Sequence, residues 1–386
     1  MRKLLFIVVC IPLVGAGGWW YFHVRQLADY GPSYREYAYV TNGKSNTVSV
    51  IDLRTFAIAK TIKVGGSPTG VAANTQKNEV YVVNSASNNV SFIDAERNAV
   101  VATVGVHGQP YFIDVSADGK RGYVANSGSN NVSVLDLEKR TVVANIRVGA
   151  SPGLARVSPD GKTAVVSNRG DGTVSVIDTE RLAVQATIAA CASPEDIAIL
   201  PDRSKAFVAC SGSAQVAAID LKADKLLALL DVGQTPSDLA LKPDGGELMV
   251  TNFDSDSVSI IETTTNDVAN TSLIGKNPSR AIVTADNSRL YVSNFGADTV
   301  TVYDIDIGKI VAVLPVGSRP DGLALSQSQN YLLVLDSASG DVTVIQKRTP
   351  KKKFEPGEYS LLTLIPVGIQ PNNIVVKSFL VKGTQP

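Results

Sequence analysis

Apolar and polar residues alternate along most of this chain in short runs, the pattern expected of half-buried β-strands. The Asp118-Gly119 pair separates two of these runs and suits a tight hairpin turn. No stretch outside the N-terminus has a helical period. Between Pro110 and Gly149 the runs are Tyr111–Val115, Arg121–Asn126, Val132–Asp136 and Thr141–Val148. The pattern therefore predicts four antiparallel strands joined by short turns.

This four-run unit returns every 42 residues. The quartet Tyr39-Val40-Thr41-Asn42 has counterparts whose last positions are 84, 126, 168, 210, 252, 294 and 336. A proline precedes the first run of successive copies, at positions 68, 110, 152, 194, 236, 278 and 320. Proline cannot donate to a ladder and is best placed as a strand's first residue. Four-stranded units of this length are typical of β-propeller blades, so an all-β propeller is predicted.

The repeats give seven complete blades from Pro68 onward and one further blade shared between the two ends of the chain. Residues 37–64 supply strands two to four without a first strand, and Ile374–Lys377 supplies a first strand without a second. We expect these ends to complete an eighth blade and to close the ring, which removes its open edges. Seven blades is the alternative if the ends do not pair. The predicted propeller spans residues 37–377, with an insertion at 347–359 and a tail at 378–386.

The N-terminus has a different pattern. Two bases, Arg2 and Lys3, precede an uncharged stretch over residues 4–22. This order predicts an exported chain whose segment 1–24 is a retained membrane anchor or a cleaved signal peptide, followed by a linker over 25–36. The length of the stretch and the aromatic residues Trp19 and Trp20 favour an anchor through residues 4–22.

The overall charge limits the possible partners. The chain has 36 acidic and 36 basic side chains, so its formal charge is zero. Binding to nucleic acid requires a concentrated positive field, and we therefore expect no nucleic-acid partner. We expect a monomer.

Three sub-motifs recur in fixed register: Tyr39–Asn42, Asn46–Asp52 and Val64–Pro68. Together they resemble the YVTN-repeat β-propeller family over about residues 37–376. The resemblance implies a propeller fold and a place in the bacterial or archaeal cell envelope. Wider structural relatives include the haem-binding propeller of cytochrome cd1 nitrite reductase and lactonase-like propellers. The family has no single chemistry, so the resemblance implies the fold more firmly than the function.

A binding site is expected where side chains break the repeat. The loops before strand one and after strand two lie on one face, around the mouth of the central channel. The candidates on this face are Tyr111, Arg169, Glu195, Asp196, Asp238, Phe253, Arg280, Phe295, Arg319 and Asp321.

The carboxylates suggest a Ca²⁺ site or a pocket for a basic ligand. The alternative, which we favour, is that they pair with the arginines or face water. Phe253 and Phe295 form a contact patch or pack under their own loops.

Two cysteines break the repeat within one copy. Cys191 replaces a residue that is glycine at Gly65 and Gly149, and Cys210 replaces the last Asn of the quartet. Both are expected on the channel-mouth face, and an exported chain permits a disulfide between them. The alternative is two buried thiols.

No catalytic set is apparent, because His107 is the only histidine in the repeat region and no Ser-His-Asp or Cys-His combination can be assembled. We therefore expect a non-enzymatic envelope propeller, without a cofactor, that binds an envelope protein or a small ligand at the channel mouth. The alternatives are a lactonase-like, metal-dependent hydrolase using the mouth carboxylates, and an accessory protein of periplasmic redox metabolism.

Overall fold

The computed structural model describes residues 31, 33–348 and 358–381. Within these ranges the chain forms 32 β-strands and a 3₁₀ turn, Phe253–Ser255. The strands of the first half are β1 (Tyr34–Asn42), β2 (Thr47–Asp52), β3 (Ala57–Lys63), β4 (Pro68–Ala73), β5 (Glu79–Asn84), β6 (Asn89–Asp94), β7 (Ala99–Gly105), β8 (Pro110–Val115), β9 (Arg121–Asn126), β10 (Asn131–Asp136), β11 (Thr141–Arg147), β12 (Pro152–Val157), β13 (Thr163–Asn168), β14 (Thr173–Asp178) and β15 (Ala183–Ala189). Those of the second half are β16 (Pro194–Ile199), β17 (Lys205–Cys210), β18 (Gln215–Asp220), β19 (Lys225–Asp231), β20 (Pro236–Leu241), β21 (Glu247–Asn252), β22 (Ser257–Glu262), β23 (Asp267–Leu273), β24 (Pro278–Val283), β25 (Arg289–Asn294), β26 (Thr299–Asp304), β27 (Lys309–Pro315), β28 (Pro320–Leu325), β29 (Tyr331–Asp336), β30 (Asp341–Lys347), β31 (Tyr359–Pro366) and β32 (Pro371–Leu380).

The strands form eight four-stranded antiparallel sheets, so the all-β, eight-bladed propeller is confirmed. Blades 1 to 7 are consecutive groups of four strands that begin with β4, β8, β12, β16, β20, β24 and β28. The inner strands of neighbouring blades contact one another around the whole ring.

Blade 8 closes the ring with strands from both ends of the chain. Its order is β3-β2-β1-β32, and β1 pairs with β32 from Tyr34 opposite Leu380 to Asn42 opposite Pro371. Closure by the two ends of the chain is therefore confirmed. Both terminal strands are longer than the sequence predicted, and β32 includes residues 378–380, which the sequence assigned to a tail.

The packing explains why no blade folds alone. Tyr81 and Phe92 of blade 1 lie in one buried cluster with Ile113 and Leu135 of blade 2. Val40 of blade 8 likewise packs in a buried cluster with residues of blade 7. Each apolar cluster is thus shared between neighbours, and closing the ring covers the apolar faces of its two end blades.

The last Asn of the quartet fixes the turn into the third strand. Asn84 Nδ2 donates to Asn89 Oδ1 at 2.8 Å and to Ser91 Oγ at 2.9 Å. A Cβ added to Gly65 would lie only 2.7 Å from Asn84 Cβ. Glycine and asparagine are therefore linked sterically in these repeats. Side chains five and seven positions later accept the same pair of hydrogen bonds from Asn42, Asn126, Asn168, Asn252 and Asn294.

The expected anchor or signal segment, most of the predicted linker, residues 349–357 of the insertion and residues 382–386 lie outside the described residues. Among the residues that the structure does describe, no helix has the length and apolar character required to cross a bilayer.

Candidate functional site

A cavity of about 400 Å³ lies at the mouth of the central channel, where the inner strands begin. Side chains from all eight blades line it. Seven of the ten side chains that the sequence singled out meet here: Tyr111, Arg169, Glu195, Asp196, Asp238, Arg280 and Asp321. The mouth is therefore the candidate functional site.

Local irregularities in the inner strands direct these side chains into the channel. In blade 5, Pro236 is opposite Asn252, but Asp238 is opposite Thr251, so the register shifts between the two pairs. The same shift follows the first proline of the inner strands in blades 1 to 7. Such bulges release residues from the ladder and change the direction of their side chains. The bulge is thus common to these blades, and the residues after each proline, which differ between blades, determine the charge and polarity of the mouth.

Glycines leave room for the larger side chains of the mouth. A Cβ on Gly153 would lie 2.5 Å from Nε of Arg169. A Cβ on Gly70 would lie 3.2 Å from Cδ2 of Phe112 in the next blade. The small residues after some prolines therefore allow bulky residues to occupy the space beside them.

Ion pairs between neighbouring blades dominate the charged half of the mouth. Each pair joins one guanidinium to one carboxylate: Arg156 Nη2 to Asp196 Oδ1 at 3.3 Å, Arg169 Nη2 to Glu195 Oε2 at 2.6 Å, and Arg280 Nη1 to Asp238 Oδ1 at 2.9 Å. Pairing with arginine is one of the two arrangements that the sequence favoured for these carboxylates, the other being exposure to water. Of the two arginines that the sequence placed among them, Arg280 pairs with a mouth carboxylate, and Arg319 lies over Phe295 instead.

Two of the carboxylates also accept backbone hydrogen bonds from the next blade. The N–H of Leu239 donates to Asp196 Oδ2 at 3.1 Å, and the N–H of Ala281 donates to Asp238 Oδ2 at 2.9 Å. Both oxygens of each carboxylate are therefore engaged, and each side chain joins two blades.

Burial has a marked effect on the acidic groups. Loss of solvent raises the pKa of Asp238 to about 6, although Arg280 opposes the shift. Burial also raises the pKa of Glu195 and of Asp321, each opposed by a nearby arginine. The mouth is thus a site in which negative charge is poorly solvated.

Asp321 differs from the other three carboxylates of the mouth. It forms no ion pair with any residue that the structure describes. The nearby charge of Arg280 and the Ser279 side chain oppose the rise that burial causes in the pKa of Asp321. The described cavity lining therefore has four carboxylates and three guanidinium groups.

Sequence reasoning missed Arg156 and Phe112. The Arg156 guanidinium carbon lies 4.8 Å from the centre of the Phe112 ring, and both residues line the cavity. Arg156 was missed because candidates came from the two positions after each proline and from the neighbouring loops, whereas it is the fourth residue after Pro152. Phe112 is the second residue after Pro110 and was not selected. Ala72, Ala198, Ala240 and Ala324 occupy the same position as Arg156 in other blades, and Asp114 of blade 2 is the other charged residue there, so a charge at this position was a usable signal.

Tyr111 and Arg169 form the rim beside blade 4. The Arg169 guanidinium carbon lies 4.8 Å from the centre of the Tyr111 ring, and Tyr111 is 38% exposed. Glu195 holds the other side of the guanidinium group and also accepts from Ser211 Oγ at 3.4 Å. Side chains from blades 2, 3 and 4 thus form one continuous edge of the cavity.

Phe253, Phe295 and Arg319 do not line the cavity. The two phenylalanine rings contact each other with their centres 5.9 Å apart, and the Arg319 guanidinium carbon lies 5.6 Å from the centre of the Phe295 ring. Both rings are partly buried. These three residues therefore form a separate stack across the loops of blades 5 to 7.

Cys191 and Cys210 form a disulfide, with their Cα atoms 5.8 Å apart. They occupy the positions of the sterically linked glycine and asparagine in other blades. Ala217 also replaces the Ser or Thr that the asparagine would contact. The bond therefore takes the place of a hydrogen-bonded asparagine in blade 4.

The described residues contain no group of three His, Cys, Asp or Glu side chains arranged to hold a metal ion. His107 is exposed, and its Nδ1 lies 2.6 Å from Asn131 Nδ2. His107 occupies the loop position of its copy that corresponds to Gly65 in the preceding copy, and it does not line the cavity.

Several known proteins share this architecture. A chain titled "Kuenenia stuttgartiensis Hydrazine Synthase" is 25% identical, with a TM-score of 0.59, over 73% of this chain and 96% of that one. The dihydro-heme d1 dehydrogenase NirN, solved in complex with DHE, is 14% identical, with a TM-score of 0.71, over 88% of this chain and 74% of that one. A functionally unknown protein from Desulfotomaculum acetoxidans DSM 771 is 16% identical, with a TM-score of 0.60, over 88% of this chain and 98% of that one.

No curated protein matches the chain. The model of one family, described as the YNCE-like beta-propeller, matches residues 25–157 and 154–349. These ranges include most of the repeats, in agreement with the resemblance carried by the YVTN quartets. The chain therefore belongs to the YNCE-like β-propeller family.

Proposed function

We propose that this protein is a non-enzymatic binding module of the cell envelope that takes a small polar ligand in the channel-mouth cavity. One observation carries the proposal: the side chains that break the repeat converge on one cavity. Ion pairs at the mouth join only blades 3 and 4 and blades 5 and 6, and the other blades pack around the ring without them. Ligand sites are typically concave, with a few polar groups placed among apolar ones.

The cavity has the size and lining of a small-molecule site. Its volume of about 400 Å³ falls within the range of about 300 to 1,000 Å³ that is usual for ligand pockets. Tyr111, Phe112 and Leu154 provide an apolar side, with Arg156 and Arg169 over its two rings, and the four carboxylates of the lining all lie on blades 4, 5 and 7. A ligand with both an apolar body and a polar group fits this division.

The geometry supports binding better than metal-dependent hydrolysis. A hydrolase that held its metal through the mouth carboxylates would require carboxylate oxygens that are free to coordinate it. Both oxygens of Asp196 and both oxygens of Asp238 already have partners on neighbouring blades. These two side chains thus act as links within the ring.

The disulfide supports a location outside the cytoplasm. Disulfides persist in oxidising compartments and are rare where thiols are kept reduced. The Cys191–Cys210 bond agrees with the export expected from Arg2, Lys3 and the uncharged stretch over residues 4–22.

Ligand capture tests the proposal. The full-length chain, purified in mild detergent, would be incubated with the small-molecule fraction of a bacterial envelope extract, and bound molecules would be identified by mass spectrometry. Thr69→Trp places a large ring in the cavity at a position where blade 2 already has an aromatic residue, Tyr111. Leu227→Trp, on an exposed outer strand, is the matched control.

We expect the wild type and Leu227→Trp to retain the same molecule and Thr69→Trp to lose it, with unchanged thermal unfolding of all three. Equal capture by Thr69→Trp, or no specific capture by the wild type, would refute the proposed function.

A further inference from the structure

We propose that the ligand is a small organic amine, with its ammonium group at Asp321 and its apolar body against Phe112 and Leu154. This inference rests on the proposed function of the cavity and gives its ligand class.

The first argument is charge balance. Three of the four carboxylates that line the cavity are paired with the three guanidinium groups. Asp321 is the remaining carboxylate, and it forms no ion pair with a described residue. Asp114, which does not line the cavity, places a further, partly buried carboxylate near Arg156, so the region of the mouth has an excess of negative charge. A cationic ligand would reduce this excess, and an anion would increase it. Opposite charge stabilises a poorly solvated carboxylate, and like charge destabilises it.

The second argument is solvation. Burial raises the pKa of Asp321 and of Asp238, which shows that their charged forms lack part of the stabilisation that water would give. A bound ammonium group supplies a positive charge and N–H donors in place of that water. Charge-assisted hydrogen bonds of this kind are stronger than those between neutral groups.

The third argument is position. Leu154 belongs to blade 3 and Asp321 to blade 7, which are four blades apart in a ring of eight and so face each other across the mouth. Phe112 of blade 2 adjoins Leu154. One molecule of modest length can therefore contact the apolar wall and the unpaired carboxylate together.

The aromatic rings are unsuitable for holding the cation. Arg156 lies over the Phe112 ring, and Arg169 lies over the Tyr111 ring. Their positive charges would repel an ammonium group placed beside them. The ammonium group is therefore expected at blade 7.

Three matched compounds test the ligand class by titration calorimetry on the full-length chain in mild detergent: phenethylamine, 2-phenylethanol and 3-phenylpropionate. They share an apolar body and differ in charge. We expect phenethylamine to bind at least about tenfold more tightly than the alcohol, and the carboxylate to bind most weakly.

Substitutions locate the ammonium group. Asp321→Asn should lower phenethylamine affinity at least about tenfold and leave the affinity for the alcohol unchanged, because only the charge is removed. Asp321→Glu retains the charge and should recover most of the loss. Glu138→Gln removes an exposed carboxylate outside the cavity and should have no effect.

The outcomes separate the two proposals. Tighter binding of the carboxylate, sensitive to Thr69→Trp, would overturn the amine assignment while upholding the cavity as a binding site. The amine assignment would also be overturned if Asp321→Asn left phenethylamine binding unchanged, or if phenethylamine did not bind. Failure of the extract-capture experiment would instead remove the proposed function itself.

Discussion

At the scale of single residues, the fold depends on the last position of each quartet. Asparagine there donates from Nδ2 to two side chains that follow the turn. Asp336 occupies the equivalent position in blade 7 and must accept instead, from the Thr343 N–H at 3.2 Å and from Thr343 Oγ1 at 2.6 Å. The substitution is visible in the sequence. The loss of stability that it causes is not visible in the sequence, because that loss arises from the complete burial of Asp336 beside Asp341.

Replacing Asp336 with Asn should stabilise the protein by about 1 to 2 kcal/mol near pH 7. Burial and the neighbouring Asp341 raise the pKa of Asp336 well above its usual range. As the pH rises from about 4 towards this raised pKa, the unfolded chain has lost a proton that the folded chain still holds, so stability falls. The advantage of Asp336→Asn should therefore be small at pH 4 and increase towards pH 8 in urea unfolding experiments.

The reverse substitution in the neighbouring blade provides the control. Asn294→Asp introduces a buried carboxylate at the same position and should destabilise the protein increasingly over the same pH range. A pH-independent effect of Asp336→Asn would show that its ionisation does not limit stability.

At the scale of the structural element, the disulfide joins the loop before β16 to the end of β17. β16 carries Glu195, and Ser211 directly follows β17. The side chains of Glu195 and Ser211 contact each other at the cavity rim. The sequence indicated the pair because both cysteines break the repeat in one copy. It did not reveal that they take the space of a glycine and an asparagine.

The double substitution Cys191→Ser/Cys210→Ser should lower the free energy of unfolding by about 2 to 3 kcal/mol, because a cross-link over a separation of 19 residues restricts the unfolded chain. Urea titration with and without reductant measures the loss. The variant Cys191→Gly/Cys210→Asn/Ala217→Ser restores the residues of other blades and should recover part of it. An unchanged midpoint for the serine variant would contradict the stabilising role.

The sequence predicted the site only in part, because it identified mouth residues by their variation between copies at a few positions of each blade. The charged residues directly after the prolines were found because they differ between copies on a known face, but Phe112, the second residue after Pro110, was not selected. Arg156 was missed because it lies deeper in its strand, beyond the bulge, where it is opposite Val165 in the regular ladder and still lines the cavity. Phe253 and Phe295 were placed on the correct loops, but only the structure shows that their rings contact each other outside the cavity.

At the scale of the whole molecule, the strict period predicted seven complete blades, and the incomplete ends predicted an eighth that closes the ring, with seven blades as the alternative if the ends did not pair. The exact lengths of the terminal strands were not predictable, because residues 34–36 and 378–380 lie outside the repeat motif and are ordered by pairing with each other. Closure also has a functional consequence. It brings Asp321 of blade 7 and Asn372 of blade 8 around the same mouth as Thr69 of blade 1.

The central claim is that this mouth binds a ligand. Hydrogen–deuterium exchange of the full-length chain, with and without the molecules captured from the envelope extract, tests it most directly. The account predicts slower exchange in peptides containing Leu239 and Ala281, whose N–H groups donate to Asp196 and Asp238 at the mouth, and no change in the outer strands β11 and β15. Slower exchange confined to the outer strands, or no difference anywhere, would contradict it.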